Sequence, residues 1–413
     1  MNNKWIRAAF PALLIHCSIG SVYCWSTFKE TIANKIGMST FSVGWAFSFA
    51  IFFLGMSAAF AGKMVERDIK KSSLISCVCF VAGMLGTGFF IQFTSGAVAL
   101  VGIYVCYGVI MGIGLGIGYL TPVKTLMLWF HDQKGLATGL SIMGFGLAKA
   151  IATPFMELIQ NSIGIVWMFY ILGLVYLMMM YLGHKIIKKP DGWIEPEEDD
   201  DYHFMYMFRN KTFVGIWIMF FLNIHCGLAL ITYEKQIVQT SFAQTAILVA
   251  MISVVPSVTA AFNALGRIGY SALSDKMHDR NNVYKIIFSS CAIISAIALF
   301  TSSIPKGSTS VLLQIITVAL LILVNLGYGG GFSTLPALLS CRFGMEKISK
   351  IHGLALSAWA FAGLTGNNMS ELILKKGGGY EGVLIATTLL YQVAFVVSAL
   401  LVTDKSKNIL FKK

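Results

Sequence analysis

Apolar runs of about 20 residues recur along almost the whole chain, each the length at which an α-helix crosses the ~30 Å hydrocarbon core of a bilayer. Twelve can be counted, with approximate limits 6–28, 41–62, 73–92, 98–122, 135–154, 163–186, 212–233, 244–270, 283–303, 311–341, 351–371 and 382–402. Within hydrocarbon, backbone N–H and C=O groups must be satisfied inside their own segment, so runs of this length fold as helices. The sequence therefore predicts an all-α polytopic membrane protein with twelve transmembrane helices. A soluble globule is excluded, because only 12% of the 413 residues are charged against 56% hydrophobic, and soluble domains carry about a quarter charged residues.

The net charge of +12 does not point to nucleic acid, because the cations cluster at the ends of apolar runs rather than in one patch. Lys4 and Arg7, Lys63 to Lys71, Lys134, Lys185 to Lys189, Lys276 to Lys285, Arg342 to Lys350 and Lys405 to Lys413 fall on one side of the membrane. The positive-inside rule makes that side cytoplasmic and predicts a multi-pass protein of the cytoplasmic (inner) membrane with both termini inside. The first apolar run has no small-residue cleavage site, so the N-terminus is expected to be retained. One long polar connection, Lys188 to Asp201, divides the runs six and six. The expected organisation is an N-terminal six-helix half (1–187), a cytoplasmic linker (188–211) and a C-terminal six-helix half (212–413). The eight cysteines lie mostly inside apolar runs without a C-x-x-C spacing, which indicates neither a disulfide framework nor a zinc site. No metal or nucleotide cofactor is implied.

An internal repeat supports two parallel halves. Ile15-His16-Cys17 recurs as Ile224-His225-Cys226, a shift of 225 − 16 = 209, and the loop beginning at Gly62 aligns with the one beginning at Ser271 at the same shift. Later, Pro122 matches Pro336 and Gly139-Leu140 matches Gly353-Leu354 at a shift of 214. At the first register Arg267 falls opposite Ala58, so the repeat itself does not account for the arginine.

Arg267 lies in the apolar run 244–270. A guanidinium there costs several kcal/mol unless it meets a wet cavity or an anion, which makes it a functional candidate by default. Its planar, permanently charged fork suits a carboxylate. An interhelical salt bridge is the competing role, and no Asp or Glu lies deep in any of the twelve runs. Asn263, one turn earlier on the same face, either donates to a ligand or holds the guanidinium in place.

Two parallel six-span halves, an acidic central linker and charged loops after spans 2 and 8 resemble the major facilitator superfamily of secondary transporters. In the first loop, Gly62-Lys-Met-Val-Glu-Arg-Asp-Ile-Lys-Lys71, Glu66 and Ile69 stand where that family usually has Asp and Gly. Within it the chain is similar to the oxalate:formate antiporter family and the related monocarboxylate transporters. The matching stretches are Gly20 to Phe28, Gly112 to Pro122, Trp129 to Gly139, Asn263 to Arg267, Gly327 to Pro336, His352-Gly353 and Ala358-Trp359. The resemblance implies that Tyr119 and Tyr328 line the substrate cavity, each with one hydroxyl for a carboxylate, and that Phe145, Phe332, Trp359 and Tyr23 form its walls. As packing residues these aromatics would look the same.

The resembling oxalate exchanger uses a second cation in span 11, whereas residues 351–371 contain no Lys or Arg. That favours a monocarboxylate. Lys149, four residues after Phe145, either adds a second cation to the cavity or snorkels to the interface. His16, His225 and His352 are candidates for carrying a proton with the anion, or else are structural, hydrogen-bonded histidines.

No H-E-x-x-H, G-x-S-x-G or paired intramembrane carboxylate is present, so no catalytic residue and no enzyme is expected. Twelve spans in two parallel halves favour alternating access over an anion channel or a membrane sensor. The expectation is a monomeric secondary transporter of formate-, lactate- or pyruvate-like anions, by proton symport or antiport. An oxalate or other dicarboxylate:monocarboxylate antiporter is the alternative.

Overall fold

The computed structural model of this chain describes residues 3–192, 204–242, 248–302 and 311–402. Among the described residues every regular element is helical. Ten helices among these residues are long and apolar enough to cross a membrane by length and composition. They are α1 (Trp5–Ile36), α2 (Thr40–Arg67), α3 (Ile69–Phe93), α4 (Gly96–Trp129), α5 (Lys134–Ile163), α6 (Ile165–Ile186), α7 (Lys211–Ile231), α10 (Asn281–Ser302), α11 (Val311–Phe343) and α13 (Gly379–Leu401). Helices α9 (Leu248–Lys276) and α12 (Ile348–Lys375) match them in length, at 29 and 28 residues. The short α8 (Glu234–Phe242) follows α7.

The twelve long helices follow the twelve apolar runs, and most of them, though not α6 or α7, overshoot their runs. Helix α5 has 30 residues where the run had limits 135–154, because backbone hydrogen bonding continues past the last apolar turn until a cap stops it. Asp68 is such a stop: its Oδ1 accepts from the amides of Lys70 and Lys71, both at 2.9 Å, and separates α2 from α3. Asn210 caps α7 in the same way through the Phe213 amide at 3.1 Å.

The chain packs as two compact units, Met1–Phe204 with Gly344–Ala360, and Met205–Phe343 with Phe361–Lys413. Helix α12 is therefore divided, its first half belonging with α1 to α6. Within the first unit, α4 is pressed onto α2 at Gly116, where a Cβ would lie 2.1 Å from the Leu54 carbonyl oxygen. Of the expected linker 188–211, residues 193–203 lie outside the described residues, as does the basic tail from Lys405 to Lys413.

Candidate functional site

In the first unit the chain crosses itself tightly at Gly20, where α1 tightens into a 3-10 segment, Gly20–Cys24. A Cβ there would stand 2.3 Å from the carbonyl oxygen of Phe145 on α5. One turn earlier on each helix, the Ser141 hydroxyl donates to His16 Nδ1 at 2.7 Å. His16 Nε2 in turn donates to the Tyr119 carbonyl of α4 at 3.2 Å. A carbonyl only accepts, so these partners fix one neutral tautomer with both nitrogens satisfied.

Around this pin the aromatic rings gather. The Tyr119 ring lies 5.8 Å from Phe145, 5.6 Å from Trp359 and 5.9 Å from His352. Phe145 is 5.9 Å from Trp359 and 5.4 Å from the half-buried Tyr23. Several of these contacts are edge-to-face, the arrangement that ring quadrupoles favour. Tyr119, Phe145, Trp359 and His352 are buried, and His352 Nε2 has no hydrogen-bond partner among the described residues. Six expected site residues, His16, Tyr23, Tyr119, Phe145, His352 and Trp359, thus form one cluster with polar tips and no fixed charge of its own.

The second unit is built differently. Arg267 on α9 is 1% exposed. Its Nε donates to Asn263 Oδ1 at 3.1 Å, and the guanidinium carbon lies 5.5 Å from the Phe332 ring centroid on α11. Of the two roles open to Asn263, the geometry supports holding the guanidinium. Asn263 Nδ2 donates at 3.5 Å to Asn325, whose own Nδ2 donates to the Leu321 carbonyl at 2.9 Å. Helices α9 and α11 come this close because Gly329 has no side chain: a Cβ there would meet the Asn263 carbonyl oxygen at 2.1 Å and Arg267 Cγ at 3.1 Å. Tyr328, buried against Gly227 of α7, has its ring 5.1 Å from Phe332.

His225 makes its bonds to α12. The Thr365 hydroxyl donates to the Phe361 carbonyl at 2.8 Å, so His225 Nδ1 donates to Thr365 Oγ1 at 2.9 Å. Its Nε2 lies 3.1 Å from Met369 Sδ. In each unit the repeated histidine therefore bonds a hydroxyl, Ser141 or Thr365. Lys149 on α5 is half-buried, and its carbonyl accepts from Cys24 Sγ at 3.9 Å.

Sequence reasoning passed over a buried ion pair. Lys124, 2% exposed in α4, pairs with Glu66 at the end of α2. Glu66 Oε1 also accepts from the Ser349 amide at the start of α12, and Lys124 Nζ donates to the Met345 carbonyl at 3.4 Å. In the sequence Lys124 lies just past the run 98–122, and only the continuation of α4 to Trp129 places it inside a 34-residue helix. Arg342, read only as a topology cation, is likewise buried, and its Nη2 donates to Asp279 Oδ1 at 2.7 Å.

Residues 12–367 match the sequence profile of the Major Facilitator Superfamily. The chain belongs to the major facilitator superfamily. It is 28% identical over 362 residues to an uncharacterized MFS-type transporter, YhjX, of Escherichia coli K12, covering 85% of this chain and 83% of that one. It is 24% identical over 409 residues to the oxalate:formate antiporter of Oxalobacter formigenes, covering 97% and 89%. In fold it is similar to the proton:xylose symporter XylE, with a TM-score of 0.71 at 14% identity over 97% of this chain and 96% of that one. This member of the superfamily is accordingly a multi-pass membrane transporter and not an enzyme.

Proposed function

We propose that this transporter carries small monocarboxylates, of the formate, lactate and pyruvate kind, by alternating access. The observation that supports this most is Arg267, a buried guanidinium oriented by Asn263 and backed by the Phe332 ring. A buried cation with fixed orientation recognises a planar carboxylate through parallel charge-assisted hydrogen bonds. In this reading Tyr119 and Tyr328 offer hydroxyl donors, while Phe145, Phe332, Trp359 and Tyr23 limit the size of the anion. The name of the Oxalobacter relative, an oxalate:formate antiporter, supports the carboxylate class. The absence of Lys and Arg from residues 351–371 favours its monoanionic member.

The protein acts in this reading as a monomer in the cytoplasmic membrane, with two six-helix halves, 1–187 and 212–413, a linker at 188–211 and both termini inside. Coupling is to a proton or to a counter-anion. Uptake by proteoliposomes over a panel of mono- and dicarboxylates, with and without a pH gradient, tests the proposal. Saturable uptake of a monocarboxylate, accelerated by the same anion inside, is the expected result. Uptake without such trans-stimulation would indicate a channel, and failure of every carboxylate would overturn the reading.

A further inference from the structure

The first unit carries a second concentration of charge, at the end where α1 and α3 begin and α6 finishes. Helix α6 lies between the other two. Gly183 approaches α1, with a Cβ there falling 3.0 Å from Ile15 Cγ1, and Gly88 of α3 approaches Tyr170 of α6 at 3.0 Å. Lys70 Nζ caps the end of α6, donating to the carbonyls of His184 at 2.6 Å and Lys185 at 2.8 Å. The Lys188 amide donates to the Arg7 carbonyl at 3.1 Å. Lys70 thus sits on the Lys185 backbone, and the Arg7 backbone is bonded to Lys188, three residues further along.

Three cations at one end repel one another and outnumber the acids that face them, and the Lys185 ammonium also lies 5.1 Å from the Tyr181 ring centroid. Asp68 is engaged by two backbone amides. His184 Nδ1 is hydrogen-bonded to Ser73 Oγ at 2.8 Å, and Lys188 is paired with Asp191 at 2.7 Å. An ammonium has three N–H donors, and Lys70 places two on carbonyls, leaving one. On the outer sides of these two helices, away from their mutual contact, apolar side chains are exposed: Leu74 and Val78 on α3, Met178 and Leu182 on α6, each pair spaced by one turn.

We propose that Arg7, Lys70 and Lys185 bind the headgroup of an anionic phospholipid whose acyl chains lie along the α3–α6 face. The phosphodiester oxygens accept from the Arg7 fork and the two ammonium groups. A free phosphate would satisfy the cations but leave the apolar strip unused, so the lipid is the occupant that fits both.

The test uses the full chain in detergent micelles, with binding of phosphatidylglycerol, phosphatidylcholine and inorganic phosphate read by native mass spectrometry. Phosphatidylglycerol should bind the wild type. Each of Arg7→Gln and Lys185→Gln should weaken it about fivefold, and together about 25-fold, as expected when each basic residue contributes about 1 kcal/mol to anionic-lipid attraction. Lys70→Gln is avoided because it also uncaps α6. The charge-preserving pair Arg7→Lys and Lys185→Arg should keep binding. The proposal is overturned by equal phosphatidylglycerol binding in wild type and double Gln variant, by phosphatidylcholine binding equally well, by inorganic phosphate competing as well as the lipid, or by loss of binding in the charge-preserving pair.

Discussion

The two units solve the same problem, holding polar groups among apolar helices, in opposite ways. The first surrounds His16, Tyr119 and His352 with rings, and a buried ion pair of the same unit, Lys124–Glu66, is internally compensated. The second holds a guanidinium, 1% exposed, on an asparagine relay and an aromatic face. The position that the 209-residue repeat sets opposite Arg267 is Ala58, whose carbonyl is so close to α12 that a Cβ on Gly353 would meet it at 2.1 Å. One unit thus uses that position for close packing and the other for charge. If the proposed function holds, labour is divided: the substrate's charge is met in the second unit, its shape and hydrogen bonding in the first.

The comparison breaks most easily at Arg267. Arg267→Ala should weaken carboxylate binding by about 30-fold or more, since truncating a buried, hydrogen-bonded charge costs about 2–5 kcal/mol of binding. Arg267→Lys should fall close to it, because a point ammonium cannot reproduce the fork. Equilibrium binding of radiolabelled lactate or formate to the purified protein checks this. Wild-type affinity in the Ala variant would remove the charge assignment, and loss of the protein from the membrane would make the arginine structural.

The next effect should appear in stability rather than affinity. Lys124→Met leaves Glu66 buried without its partner, and breaking such a pair typically costs about 3–5 kcal/mol, whereas replacing both members by neutral residues is far milder. The expected outcome is a large drop in thermal unfolding temperature for Lys124→Met and recovery in Lys124→Met with Glu66→Gln. Anion affinity per folded molecule should stay within about threefold. If affinity fell as it does at Arg267 while stability held, charge recognition would extend into the first unit.

How much of this was legible beforehand depends on the kind of residue. The helices followed from the apolar runs, because hydrocarbon leaves a backbone no alternative. Arg267 stood out since a lone guanidinium in such a run has no neutral explanation. Lys124 escaped because it follows Pro122, where the apolar run ends, although α4 continues to Trp129. Ser141, Asn325 and Gly329 carry no signal alone. Their importance comes from what the fold brings opposite them, namely His16, Asn263 and the backbone of α9.

The histidines sharpen the comparison at intermediate size. His16 has both nitrogens satisfied when neutral, whereas His225 donates through Nδ1 and presents Nε2 to a thioether. If an imidazole couples a proton to the anion, uptake should rise as external pH falls. His225→Gln should then flatten that response. His16→Gln should leave the pH response in place and lower the maximal rate a fewfold, by unpinning Ser141 and Tyr119. Initial uptake rates between about pH 5 and 8 distinguish these outcomes, and a flat profile in wild type with stimulation by internal anion would assign exchange and return both histidines to structural roles.

The smallest expected effect concerns how many charges the bound anion carries. A dianion held by Arg267 alone retains one uncompensated negative charge away from water, at a cost of several kcal/mol, so a one-cation site selects against oxalate by orders of magnitude. Lys149 is the residue able to change that. It is half-buried on α5, in the otherwise ring-lined unit, four residues from Phe145. A lysine on a long stem reaches the interface readily. Lys149→Gln should therefore change lactate or formate affinity by less than about tenfold, and oxalate should compete poorly in both proteins. Tight oxalate binding that disappears with Lys149→Gln would reverse this. The first unit would then supply the second cation, and the substrate would be a dicarboxylate.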